Sequence, residues 1–297
     1  MKKIIFICLS IFILSTGFAQ RIDKKLQARL ETEIRGFNGT IGIYVKNLRT
    51  GKTVFINADT IFPTASIVKV PILVGVMDKI AKGELKYDST LIYKDSLLYE
   101  GVDILGSFKN NEKIVLKKVM MLMLTTSDNT ASLWLQSLAG TGARINAILD
   151  SLGFKDTRVN SRTPGRENNR TNFGWGQTTP AEMGRLFEMI YTNKIISPAA
   201  SERMMRSLRR NYWDLNEAIS QIPPYIEVFS KNGCVNAVRS EVLLVNAPNN
   251  PYIFSIFTKN NKDISWTRQN EAWTLTRKLS ALLWDYFEPK DDWSPGE

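Results

Sequence analysis

The stretch Pro63-Thr64-Ala65-Ser66-Ile67-Val68-Lys69-Val70-Pro71-Ile72-Leu73-Val74-Gly75-Val76-Met77 decides the reading of this chain. Ile67, Val68, Val70, Ile72, Leu73, Val74, Val76 and Met77 make it almost continuously apolar, and a helix that apolar is buried on most sides. Residues three apart on a helix share a face, so Lys69 is expected to project beside Ser66, with Ser66 near the positive end of the helix dipole. A lysine committed to an oily helix must shift its pKa or find partners, and a downward shift makes it a usable base.

Two further polar motifs follow apolar runs. Ser127-Asp128-Asn129 comes 61 residues after Ser66, behind Val119-Met120-Met121-Leu122-Met123-Leu124. Lys231-Asn232-Gly233 comes another 104 residues on, behind the strand-like run Ile226 to Phe229. Its glycine permits close approach of backbone to a ligand, and equally suits a bulge. The chain contains no histidine, so a serine nucleophile here needs lysine or a carboxylate as its base. The same absence, with only two cysteines, argues against a metal site. No cofactor is expected.

Lys2 and Lys3, the apolar run Ile4 to Leu14 and the exit Gly17-Phe18-Ala19-Gln20 read as a secretory signal peptide over 1–20. The expected product is exported, periplasmic or secreted, with no stable membrane span once the signal is removed. It keeps one cysteine, Cys234, so folding in an oxidising compartment rests on the core rather than on a disulfide. The apolar fraction of 43% belongs to a globular protein. The net charge of +10, about +8 without Lys2 and Lys3, suits an anionic envelope surface or anionic substrates. Arg158, Arg162, Arg166 and Arg170, and the cluster Arg203, Arg206, Arg209 and Arg210, read as solvated faces. With no aromatic interleaving, nucleic acid is not an expected partner.

Ile22, Leu26, Leu30 and Ile34 predict an amphipathic opening helix. Strands are expected at 41–48 and 53–56, then again at 226–229, 241–245 and 252–258, with a closing helix carrying Trp273, Leu275, Leu279, Leu282, Leu283 and Tyr286 on its apolar side. Strands at both ends around a helical middle imply an α/β chain of the α+β sandwich kind. An antiparallel sheet is flanked by N- and C-terminal helices and carries an inserted all-helical subdomain. The expected layout is one catalytic domain over 21–288, with a sheet part about 21–62 and 211–288, a helical part about 63–210, and a C-terminal tail over 289–297.

The three motifs, in this order and in the contexts Thr64-Ala65-Ser66-Ile67-Val68-Lys69-Val70-Pro71, Thr126-Ser127-Asp128-Asn129-Thr130-Ala131 and Thr178-Thr179-Pro180-Ala181-Glu182-Met183, resemble class A β-lactamases and their penicillin-binding relatives over nearly all of the mature chain. The resemblance implies that Ser66 forms an acyl-enzyme, Lys69 accepts or relays its proton, and Ser127 passes a proton to the leaving nitrogen. It further implies that Lys231 positions Ser127 and holds the substrate carboxylate, Asn129 bonds the acylamino side chain, and the N–H groups of Ser66 and Cys234 form the oxyanion hole. Asp128 is read as structural, and Arg239 as a second cation for the carboxylate or an exposed strand arginine.

Two positions depart from the family pattern. Asn232 replaces the usual hydroxyl residue of the third motif. In the loop Ser161 to Asn169, Thr163 falls where a deacylating glutamate belongs, with Glu167 a few residues further on. Three functions follow as expectations: a β-lactamase, acting on a β-lactam as a monomer; a penicillin-binding-like D-alanyl-peptidase or esterase with slow deacylation, acting on a cell-wall peptide; and a non-catalytic cell-wall ligand-binding protein on the same fold.

Overall fold

The computed structural model describes residues 21–101, 103–209, 211–213 and 216–295. The expected signal segment, 1–20, lies outside the described residues. Helix α1 (Lys24–Glu33) starts at Asp23, whose carboxylate accepts the Leu26 N–H at 3.2 Å. Strands β1 (Thr40–Asn47) and β2 (Thr53–Ile56) form a hairpin, and β3 (Phe62–Pro63) leads through a 3₁₀ turn, Ala65–Val68, into α2 (Lys69–Ala81). The helical part continues with β4 (Thr90–Ile92), β5 (Lys113–Val115), α3 (Leu116–Met121), α4 (Asn129–Leu138) and α5 (Thr141–Ser151). It ends with β6 (Arg158–Val159), α6 (Glu167–Phe173), β7 (Gly176–Thr178), α7 (Pro180–Tyr191) and α8 (Pro198–Ser207). Strands β8 (Val228–Val235), β9 (Val238–Val245) and β10 (Tyr252–Lys259) and helix α9 (Glu271–Phe287) complete the chain.

The principal sheet runs β2-β1-β10-β9-β8 and is antiparallel throughout. Its first hairpin joins its last strands through the register Thr40↔Lys259 to Asn47↔Tyr252, so sequence-distant halves complete one sheet. Side-chain alternation then divides the sheet between two cores. Ile41, Ile43, Val45, Leu243 and Val245 pack with Leu26, Leu30, Leu279, Leu283 and Trp284 of α1 and α9. Tyr44, Val242 and Leu244 face the opposite way and pack into the helical part around α2. Every residue of α2 from Lys69 to Asp78 is buried, as its unbroken apolar run requires.

Several expectations need refinement. Ser66 lies on the 3₁₀ turn before α2 rather than within the α-helix. β8 begins at Val228 and carries the whole third motif to Val235. The helical part contains two small sheets, β4-β5 and β3-β7-β6, and the turn-rich stretch after Ser161 includes α6. The row Arg158, Arg162, Arg166 and Arg170 is not merely a solvated face, whereas Arg206 and Arg209 of the second cluster are exposed as expected. Arg158 pairs with Asp150 at 2.5 Å and donates to the Phe154 and Thr157 carbonyls, while Arg166 bonds Asn160 and Gln177. No described helix is long and apolar enough to cross a membrane.

Candidate active site

Ala65 places the nucleophile. Its φ of +43° lies in the left-handed region, which costs a non-glycine residue energy and is retained where the surroundings over-determine it. The following 3₁₀ turn eclipses side chains three apart, and Lys69 Nζ reaches Ser66 Oγ at 3.0 Å.

The second motif arrives from across the cleft. A π-helical turn, Leu122–Thr126, ends at Ser127, which is also left-handed (φ 60°, ψ 33°). Asp128 then caps α4: its buried carboxylate accepts the N–H groups of Ala131 at 2.7 Å and Leu105 at 2.8 Å. This is the structural role expected of it. Ser127 and Asn129 thereby meet Lys69, whose Nζ lies 3.0 Å from Ser127 Oγ, 2.5 Å from the Ser127 carbonyl and 2.9 Å from Asn129 Oδ1. Burial pushes the Lys69 amine well below the ordinary lysine value, and Lys231 pushes the same way, against the pull of Asp103 and Asp128. A neutral amine donates two hydrogens and keeps a lone pair for the Ser66 hydroxyl.

The third motif closes the site along the sheet edge. Gly233 is required by contact: a Cβ there would lie 2.4 Å from the Thr64 carbonyl and 3.0 Å from the Ser66 nitrogen. Alternation along β8 separates Lys231 and Gly233 from Asn232 and Cys234. Lys231 is fully buried and donates to the Asn232 carbonyl and Oδ1, both at 2.9 Å. The Ser127 hydroxyl and carbonyl are held by Lys69. The Cys234 thiol is pushed well up by burial, and next by Glu217, which suppresses the thiolate.

Ser66, Ser127, Asn129, Asn232, Gly233 and Cys234 line one cavity of about 480 Å³. Glu217, Trp213, Trp266 and Trp273 supply most of its remaining wall. Composition and periodicity did not single these four out. Trp273 reads as one more apolar position of the closing helix, and Trp213 and Glu217 lie outside any periodic run. Asp103 was likewise missed. Its carboxylate accepts the N–H groups of Asn129 at 2.8 Å and Thr130 at 3.0 Å, and the Thr130 hydroxyl at 2.6 Å.

Two candidates fall elsewhere. Arg239 is neither an exposed strand arginine nor a cation facing the cavity. It pairs with Cys234 across β8–β9, is 1% exposed, and lies against the rings of Trp266 (4.3 Å) and Trp273 (4.7 Å). Its hydrogens go to the carbonyls of Asn236, Val238 and Ser265 at 2.7, 2.8 and 2.9 Å, so the charge supports an aromatic wall. Glu167 opens α6 on the surface, where its carboxylate accepts the Gly165 N–H at 3.0 Å. Thr163, the ungapped counterpart of the family glutamate, is buried against Gly142 and bonds the Ser161 carbonyl.

A description of the beta-lactamase enzyme family matches residues 23–287, nearly all of the described chain. The protein belongs to this family. It is 24% identical over 299 aligned positions to Beta-lactamase VEB-1 of Pseudomonas aeruginosa, spanning 96% of this chain and 98% of that protein. It is 26% identical over 246 positions to Beta-lactamase 3 of Bacillus cereus, spanning 80% and 73%. Among solved structures it is similar to a PBP-A mutant in an acyl-enzyme complex with penicillin G, at a TM-score of 0.79 and 25% identity over 91% of this chain and 98% of that one. The fold is that of the family's serine enzymes: a mixed α/β sandwich with an antiparallel sheet and an inserted helical part.

Proposed function

We propose that the protein is an exported serine hydrolase of the class A β-lactamase type, which opens the β-lactam amide through an acyl-enzyme on Ser66 and needs no metal. The observation that carries this is the Lys69 amine standing 3.0 Å from both the Ser66 and the Ser127 hydroxyls. Neutral Lys69 takes the Ser66 proton as Oγ bonds to the lactam carbonyl carbon. The oxyanion faces the N–H groups of Ser66 and Cys234. The C–N bond then breaks, Ser127 gives its proton to the leaving nitrogen, and Lys69 returns one to Ser127. Asn129 supports the acylamino side chain, while Lys231 and Asn232 provide field and hydrogen bonding on the leaving side. The proposed working form is a periplasmic or secreted monomer whose substrate is a small β-lactam.

The surface position of Glu167 favours a second reading at the next step. Hydrolysis of the ester needs a positioned water and a base, and neither Glu167 nor Thr163 lines the cavity. A penicillin-binding-like D-alanyl-peptidase or esterase with slow deacylation would keep the same acylation machinery. Intact-mass spectrometry of the protein mixed with a penicillin and a cephalosporin, beside Ser66→Ala, separates the readings. A transient adduct with accumulating product supports the β-lactamase, and a persistent adduct supports the acyl-trap. Absence of any adduct, with ligand binding retained in Ser66→Ala, would leave a non-catalytic binding protein.

A further inference from the structure

Three indoles, Trp213, Trp266 and Trp273, line the cavity that holds Ser66. Trp273 is packed away at 5% exposure, whereas Trp213 and Trp266 are 44% and 62% exposed. Indoles that served only to fill a core would be covered; exposed rings in a cavity beside a reactive group mark a surface that a ligand covers. Both are fixed before any ligand arrives. Trp213 Nε1 donates to the Thr126 carbonyl at 3.1 Å, one residue before Ser127, and the Tyr212 ring stands nearly perpendicular to it at 4.9 Å. Trp266 meets Trp273 edge to face at 5.9 Å, and the Arg239 guanidinium lies 4.3 Å from the centre of its ring. Ser265, just before it, is held in turn: its carbonyl accepts from Arg239 at 2.9 Å and from Asn270 at 3.1 Å.

The chemistry of this wall selects its occupant. Arg239 is 1% exposed and already fills a cation's place beside Trp266 and Trp273. A second cation on these rings would meet like charge. A neutral aromatic ring meets no such cost, and offset or edge-to-face contact with an indole held in place adds to the burial of its area. We propose that Trp213 and Trp266 form an aromatic subsite and are specificity-determining residues, selecting acyl donors that carry an aromatic ring within reach of Ser66. This rests on the acyl-enzyme reading above.

Matched pairs that differ by one ring test it: benzylpenicillin and its acetamido counterpart on the acyl side, and a cephalosporin bearing 3-phenyl or 3-methyl on the leaving side. The second-order rate of Ser66 acylation is followed by intact mass in the wild type, Trp213→Ala, Trp266→Ala and the corresponding Phe variants. Expected is a wild-type preference for the aromatic member of at least one pair, which falls about tenfold in either Ala variant and is largely kept in the Phe variants. The member without the ring reports on the acylating groups themselves, so a variant that slows both members alike has lost only a structural prop. A preference that survives in either Ala variant therefore overturns the inference, as does a wild type with no preference in either pair, and both results leave the acyl-enzyme reading intact. If no compound acylates the wild type, that reading fails. The inference is then decided by the affinities of Ser66→Ala, Ser66→Ala/Trp213→Ala and Ser66→Ala/Trp266→Ala for the same pairs. A preference for the aromatic member that collapses without either indole sustains it, and equal affinities, or no binding of any compound, overturn it.

Discussion

The Lys69 amine sits 3.0 Å from the Ser66 hydroxyl at the start of a helix that is buried from Lys69 to Asp78. One burial event therefore does two things: it sequesters the α2 side chains from water, and it favours the uncharged form of the amine beside the proposed nucleophile. Lys231 adds to the effect, since a second cation in the same dry region disfavours charge on the first.

The acid limb of acylation should accordingly follow deprotonation of Lys69 at a pH below the ordinary lysine value. Acylation rises with pH through that depressed pKa. Stability follows the same sign: the folded state penalises charged Lys69, the penalty is complete below the folded pKa, and it is relieved as pH rises toward the unfolded value. Lys69→Arg keeps a charge that cannot be lost. It should slow acylation about 10²- to 10⁴-fold and abolish the acid limb, as read by adduct formation from pH 5 to 10. A variant that keeps the wild-type limb would remove Lys69 as the base.

Adduct lifetime should be insensitive to Glu167. Its carboxylate bonds the Gly165 N–H on the surface, so Glu167→Gln is expected to leave the deacylation rate within about twofold and stability within ~0.5 kcal/mol. A tenfold longer adduct in the variant would show that the loop carries this carboxylate into the cleft during turnover.

Much of this was legible in the sequence because each motif is tied to a pattern of burial. The apolar run after Ser66 announced α2, and the strand-like runs at both ends announced a sheet closed by distant partners, which pairs β1 with β10. Arg239 was misread because a charged residue in a strand carries no local mark of what stacks on it. Trp266 and Trp273, 27 and 34 residues later, pack against it only after the chain turns into α9. Glu217 and Asp103 were illegible for a related reason. Both act through contacts across long sequence separations, from segments with neither period nor motif.

Asp103 should behave as a positioning residue for Asn129. Its carboxylate takes the N–H groups of Asn129 and Thr130 at the start of α4 and the Thr130 hydroxyl. Asp103→Ala should cost ~1–2 kcal/mol, the range of a lost helix cap, visible as a lower melting temperature. Acylation should slow through weaker binding more than through a slower chemical step, while Asp103→Asn recovers part of both. Equal stability and acylation in Asp103→Ala would show that the clamp is dispensable.

Gly233→Ala tests how closely β8 must approach the nucleophile. The added methyl would sit 2.4 Å from the Thr64 carbonyl and 3.0 Å from the Ser66 nitrogen, and neither is the end of a flexible side chain that could swing away. Either β8 or the 3₁₀ turn must move, and the turn is already anchored by left-handed Ala65. Overpacking of this kind costs ~1–3 kcal/mol. A displacement near 1 Å at reacting groups is worth about 10²-fold in rate. The expected result is a folded protein that acylates at least tenfold more slowly, with stability measured by denaturant midpoint and acylation by mass. The loss should exceed that of Cys234→Ala, which removes a side chain while leaving the Cys234 N–H in place. If Gly233→Ala acylates at the wild-type rate, β8 can retreat without disturbing Ser66, and the strand edge is not part of the machinery that activates it.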